Sequence, residues 1–236
     1  MMVGGALVLA TLLVADMVLD SVVTRSISKV GARLTGTGLT LDGADLFLFS
    51  GSGAIKNLSV PNPVGYSALA AFQIGKINVG LKPESVFQDT LQISHIRVVS
   101  PQINFEGTLN TNNLADILKN VEAILGGSNR LCDPPELSGK RMHVDDLWIT
   151  GARLNVAATG LGAPPQILSL PDIHFISLGA GTNGISGAEL AQMVLSRLNQ
   201  EAIEALAWGI ATSVPGDPAG EAPMSPRDNP EPPAQP

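Results

Sequence analysis

The side chains most able to do chemistry are few and scattered. His95, His143 and His174 are the only histidines, and all three fall in stretches with strand-like alternation. None stands in an H-E-x-x-H or H-x-H arrangement or beside a cysteine pair, the spacings that bring zinc ligands onto one face. Cys132 is the single cysteine, which excludes an internal disulfide framework and a Cys-rich metal knuckle. Asp145-Asp146 is an adjacent carboxylate pair, and work as acid and base on one substrate would need both on one side of the chain. Neighbouring strand residues face opposite sides, so the sequence predicts that they cannot cooperate. Gly51-Ser-Gly53-Ala-Ile-Lys56 lacks the G-x-x-x-x-G-K-[ST] spacing that wraps phosphate and reads as a turn, and no G-x-S-x-G is present. Asn57-Leu58-Ser59 is formally a glycosylation sequon, but it lies in a predicted strand, a poor acceptor site. The sequence therefore points to no catalytic residue, no metal and no cofactor, and function has to come from what the fold carries.

Composition narrows that further. The chain has 236 residues, 14 basic against 21 acidic side chains, and a net charge of -7. That balance argues against a basic nucleic-acid binder. Only 15% of residues are charged and 44% are hydrophobic, which argues against a wholly disordered chain. The length suits one domain or two small ones.

The ends differ from the middle. Residues 1–15 carry no charge, and as a helix they span roughly 22 Å, short of the ~30 Å hydrocarbon core. Extension to Val23 gives about 34 Å and takes in Asp16 and Asp20, which fit the exit headgroups. We read residues 1–23 as an uncleaved membrane anchor and 24–36 as a juxtamembrane helix or linker. Arg25, Lys29 and Arg33 follow the span, and the positive-inside rule taken literally would put the following bulk in the cytoplasm. At the other end, residues 214–236 hold eight of the 17 prolines and almost no large apolar side chain, the composition of a disordered acidic tail.

Between the ends, residues 37–211 read as one β-rich domain. Short alternating runs broken by Gly, Pro and Asn predict antiparallel strands at Thr37 to Phe49, Ala54 to Val60, Phe72 to Leu81, Leu91 to Val99, Gln102 to Glu106, Met142 to Thr150, Ala152 to Ala157 and Ile167 to Ile176. Asn113 as N-cap, followed by Leu114, Ile117, Leu118, Val121 and Leu125 at helical spacing, predicts a helix near 113–125. A capping box, Ser186-Gly-Ala-Glu189, opens a second helix near 187–210. Gly126 to Lys140 reads as a loop containing Cys132.

The strands repeat a pattern, apolar-x-x-apolar-x-apolar. It occurs as Ile55-Lys-Asn-Leu58-Ser-Val60, Ile93-Ser-His-Ile96-Arg-Val98, Val144-Asp-Asp-Leu147-Trp-Ile149 and Leu170-Pro-Asp-Ile173-His-Phe175. Two copies extend further, Ile96 to Phe105 aligning with Leu147 to Val156. In each copy the last two apolar residues share parity and so share a face of the sheet. That face reads either as the core side of a sheet under helices or as an open apolar surface.

These segments together resemble the AsmA-like family of bacterial envelope proteins. The resemblance rests on Val18-Leu19-Asp20-Ser21 at the end of the anchor, Gly38-Leu-Thr-Leu41-Asp42, Gly53-Ala-Ile-Lys-Asn-Leu-Ser-Val-Pro-Asn-Pro63 and Ile77-Asn-Val-Gly-Leu81. It continues in the helix start Gly107…Asn113-Leu114…Ile117-Leu118, in Val144-Asp-Asp-Leu-Trp-Ile-Thr-Gly-Ala-Arg153 and in Leu170-Pro-Asp-Ile-His174. It implies a mainly β protein with a few helices, an elongated curved antiparallel sheet after an N-terminal transmembrane helix. It further implies a body in the periplasm at the inner membrane, a part in phospholipid traffic or outer-membrane and envelope homeostasis, and membrane lipids and envelope proteins as partners. The apolar face becomes a lipid groove lined by Leu58, Val60, Ile96, Val98, Leu147, Ile149, Ile173 and Phe175. About eight strands at roughly 4.8 Å spacing would make that groove about 40 Å long, too short to reach a distant second membrane unaided. The competing expectation is a non-catalytic accessory subunit bracing a membrane protein complex.

Overall fold

The computed structural model describes residues 24–47, 50–126, 140–156 and 166–212. The expected anchor at 1–23, nearly all of the loop with Cys132, and the tail at 214–236 lie outside these residues. Among the described residues no helix is long and apolar enough to cross a membrane.

Helix α1 spans 24–35. There follow β1 (Gly43–Phe47), β2 (Ser52–Pro61), β3 (Ala70–Leu81), a 3-10 turn (Pro83–Phe87), β4 (Thr90–Val99) and β5 (Gln102–Phe105). Next come α2 (Asn113–Gly126), β6 (Arg141–Thr150), β7 (Arg153–Val156), β8 (Gln166–Ser169), β9 (Ile173–Leu178) and α3 (Gly187–Thr212). All nine strands belong to one curved sheet. Among the described residues the fold is mainly β with three helices, in line with the mainly β expectation, but the sheet is mixed rather than antiparallel.

Two strand pairs run parallel, and they are the two extended copies of the repeat. In β4 and β6, Ile96 pairs with Leu147 and Val98 with Ile149; in β5 and β7, Ile103 pairs with Leu154 and Phe105 with Val156. The copies thus lie side by side in the alignment their sequences show. The long connection through α2 is what lets the second copy return in the same direction.

Several of the nine strands are collinear. β3 pairs with both β4 and β5 in one continuous register, and the β6–β7 line pairs likewise with β9 and β8. The expected single strand Ile167 to Ile176 is therefore divided between β8 and β9 around Leu170-Pro171-Asp172. Similarly, the expected strand Thr37 to Phe49 is β1 plus an isolated bridge, Thr40 to Ser59. The sheet has six strand lines rather than eight, and at about 4.8 Å per step it is roughly 25 Å across.

The interruptions line up. Register carried across the sheet puts Asp42, Asn57, Gly75, Ser100, Gly151 and Pro171 on one transverse row. Asn57, Ser100 and Gly151 all have positive φ, at 48°, 51° and 62°. Local side chains take over there: Asn57 Nδ2 donates to Asp42 Oδ2 at 2.6 Å, and Asp172 Oδ1 accepts from the Gly151 N–H at 3.0 Å. A second row lies about six residues away, roughly 20 Å of strand. It contains the register shift at Gly80/Leu81 opposite Ser94, then Asp145, then Ser177 with φ 53°.

Each row bends the sheet and resets its alternation, as an extra or left-handed residue must. In a regular strand Ile93 and Ile96, or Val144 and Leu147, would face opposite ways; here all four belong to one apolar cluster. The two x positions of the repeat are these bends. The copies at Ile93 and Val144 cross the second row, and those at Ile55 and Leu170 cross the first.

A buried polar knot fixes α2 to the sheet. Glu106, 2% exposed, ends the β5 line. Its Oε1 accepts from the Ala68 N–H at 2.6 Å and from Asn62 Nδ2 at 2.9 Å, and its Oε2 from the Ser67 N–H at 2.7 Å. Asn113 Nδ2 donates to Asn62 Oδ1 and to the Asn104 carbonyl, while its Oδ1 accepts from the Glu106 N–H. Asn113 is therefore spent on the knot. The cap of α2 is Asn112, whose Oδ1 accepts from the Ala115 N–H at 2.8 Å, one residue earlier than the sequence predicts. Gly107 makes the intervening turn at φ 122°, where a Cβ would sit 2.3 Å from the Thr111 carbonyl. The α3 box forms as expected: Ser186 N–H donates to Glu189 Oε2 and Glu189 N–H to Ser186 Oγ.

Tyr66 docks on the same helix, donating to Asp116 Oδ2 at 2.6 Å. Burial, then the bond and charge of Asp116, push its hydroxyl up to about 12 from 10.0. A raised folded pKa means stability that is whole below pH 10 and lost as pH rises toward 12. Because Tyr66 is the only tyrosine, phenolate absorbance reads it alone. We expect a midpoint well above 10.0 in the native chain and a return toward that value in Asp116→Asn; a native midpoint at 10.0 would rule the contact out.

Candidate functional site

The sheet gathers its apolar side chains on one face because each bend resets which residues point inward. All eight residues predicted to line a groove belong to that face, and the structure brings them into one cluster. Val60, Val98, Leu147, Ile149 and Ile173 are buried in it, and Leu58, Ile96 and Phe175 are partly buried against it. They run cross-strand: Ile96 beside Leu147 beside Phe175, and Val98 beside Ile149 beside Ile173.

Two helices close part of this face. Leu114 and Ile117 of α2 and Leu198, Ala202 and Leu206 of α3 enter the same cluster as Ile103, Phe105, Leu154 and Val156, and α3 begins beside Met142 at the other end of the β6–β7 line. The opposite flank is less closed. There Leu58 and Ile74 pair across β2 and β3, and Ile77 and Val79 pair with Val98 and Ile96, all partly exposed except Val98.

Sequence reasoning missed Ile74, Ile77 and Val79. β3 carries no copy of the repeat, so the search for copies passed over the strand that touches β2, β4 and β5. The alternation Ile77-Asn-Val79 was the available signal.

Away from the apolar cluster lies a polar one. Arg97, Trp148 and His174 are direct cross-strand neighbours on β4, β6 and β9. Asp146 Oδ1 meets His174 Nε2 at 2.5 Å, and its Oδ2 meets Arg97 Nη2 at 2.6 Å. The His174 ring stacks on Trp148 with centroids 3.8 Å apart, and the Arg97 guanidinium lies 5.9 Å from the indole centre. The hydrogen bond from His174, with the charge of Arg97 beside it, holds the Asp146 carboxyl below its ordinary range. A carboxylate bridging Arg97 and His174 beside a stacked ring pair ties three strands together.

The adjacent carboxylates Asp145 and Asp146 differ in their surroundings. Both lie between the buried Val144 and Leu147, at the second bend, and neither enters the apolar cluster. Asp145 is exposed, whereas Asp146 is committed to Arg97 and His174. The three histidines stay apart: His95 contacts Ser94, and His143 contacts Gln92 and Thr182. Among the described residues no three His, Cys, Asp or Glu side chains converge as a metal site would require.

No family model matches the chain, and no curated protein matches it either.

Proposed function

We propose that this is an AsmA-like protein, anchored in the bacterial inner membrane with its body in the periplasm, that holds lipid acyl chains against the apolar sheet face. It serves phospholipid traffic or envelope homeostasis and carries out no catalysis. The observation that carries the reading is a continuous apolar face, gathered from several strand lines, that the chain's own helices close in part and leave partly exposed along Leu58, Ile74, Ile77, Val79, Ile96 and Phe175. Such a surface needs no reacting group, since each buried methylene contributes about 0.8 kcal/mol. At roughly 25 Å across, it suits local lipid handling or one part of a longer assembly.

A second reading, a non-catalytic accessory subunit bracing a membrane protein complex, is favoured by a different observation. Five of the eight lining residues are already covered within the chain itself.

A photo-crosslinking side chain placed at Ile96 of the full chain in cells separates the two. We expect lipid adducts at Ile96 and none at the buried Val60. Adducts to another protein at Ile96 would favour the accessory subunit, and crosslinks confined to the chain itself would overturn lipid binding on this face.

A further inference from the structure

The two edges of the sheet differ. At one, the Ala44 N–H of β1 is taken by Thr24 Oγ1 of α1 at 3.1 Å. At the other, β8 and β9 form the last line, and no further strand among the described residues pairs with them. An unpaired edge presents N–H and C=O groups ready to take another strand.

Which groups face out follows from those that face in. Leu170 donates its N–H to the Ala152 carbonyl at 2.9 Å, so along β8 the alternate residues Ile167 and Ser169 aim their backbone away from β7. On the next line inward, the Thr150 carbonyl accepts from the Ser100 N–H at 2.7 Å, on the side away from β9. Its alternates Ile149 and Leu147 therefore bond to Ile173 and Phe175, which leaves His174 and Ile176 facing out. All four outward residues are exposed, Ile167 at 72% and Ile176 at 67%.

This edge is complementary to itself. Positions 167 and 169 are spaced as 174 and 176 are, so one antiparallel register matches all four. It sets Ile167 opposite the partner's Ile176 and Ser169 opposite the partner's His174, each pair occurring twice. The two-fold axis then passes between Pro171 and Asp172, which puts the bend of one copy on the bend of the other. Pro171 brings no N–H to that point. Residues 166–178 hold no Lys or Arg and one carboxylate, Asp172, which is held by the Gly151 N–H. The edge thus lacks the charged side chains that keep strand edges apart.

We propose that the β8–β9 edge joins a second copy of this chain in a two-fold dimer whose sheets run on into one another. An open row of copies would need this edge to meet β1, where α1 already bonds, so the closed pair is the arrangement left. The axis stands upright to the sheet, so both apolar faces turn to the same side and the surface described above doubles in width. The pairing does not depend on what that surface binds.

The test takes the full chain in detergent micelles with Cys132→Ser and one new cysteine in each of two preparations, Ile167→Cys and Ile176→Cys. After the two are mixed and left to exchange, a short bismaleimide is expected to give a species of twice the chain's mass. Either preparation alone should give none, because in this register each position lies about 30 Å along the edge from its own symmetry mate. Ser169→Pro removes an outward N–H and leaves the bonds from β8 to β7 in place. It should weaken the dimer at least about tenfold in sedimentation while the circular dichroism spectrum is unchanged. The mixed crosslink decides, whether or not Ser169→Pro folds. Its presence upholds the edge, and its absence, or equal linking within each preparation alone, overturns it.

Discussion

Glu106→Gln is expected to lower folding stability by about 2–3 kcal/mol, because the amide can accept at only one of the two oxygens that Glu106 uses. With its oxygen toward Ala68 and Asn62, its NH2 faces the Ser67 N–H, donor against donor. Turned the other way, it abandons two donors instead of one. The site is nearly closed to water, so solvent cannot take over the lost bond. For a chain of this size that corresponds to a fall in melting temperature of about 5–10 °C. Hydrogen exchange should show the loss first in the connection from Asn62 to Ala70, which Glu106 holds down. A melting temperature equal to that of the native chain would mean that the knot orders this connection without stabilising the fold.

Phe105→Ala should cost more, about 3–5 kcal/mol. Phe105 is fully buried and is the largest side chain to be so. It pairs with Val156 on the neighbouring line and shares its cluster with Leu114 and Ile117 of α2. Its removal leaves a cavity between sheet and helix that rigid strands on one side and the Glu106 knot on the other keep from collapsing. Urea unfolding should show an earlier midpoint with an unchanged slope, the mark of lost stability without loss of the folded state. A cost under about 1 kcal/mol would show that α2 settles into the space. The two effects should not add, since residues 105 and 106 share one helix contact.

Much of this architecture is legible in the sequence. The α3 capping box needs only local spacing, and Ile96, Val98, Leu147 and Ile149 assemble because each sits beside its counterpart in a copy of the repeat. What could not be read is how the copies meet. Parallel and antiparallel neighbours have the same alternation, so Ile96 to Phe105 and Leu147 to Val156 could be aligned without revealing that they lie side by side. Likewise, Asn113 has the residue type of a cap, and nothing local says that Asn112 does that work while Asn113 serves Glu106 and Asn62.

The two transverse rows also act as a key for strand pairing. Ordinary strands can slip by a residue, with every side chain moved to the wrong face and most backbone bonds remade. Here a slip would set the left-handed Ser100 or Gly151 opposite a regular residue, and the bend of one strand would meet the straight run of its neighbour. Two such rows about six residues apart cannot both be matched by any small displacement. The parallel copies need this most, because their similar sequences would otherwise tolerate several alignments. The interruptions that gather the apolar face thus double as a lock that leaves the repeated strands one way to close.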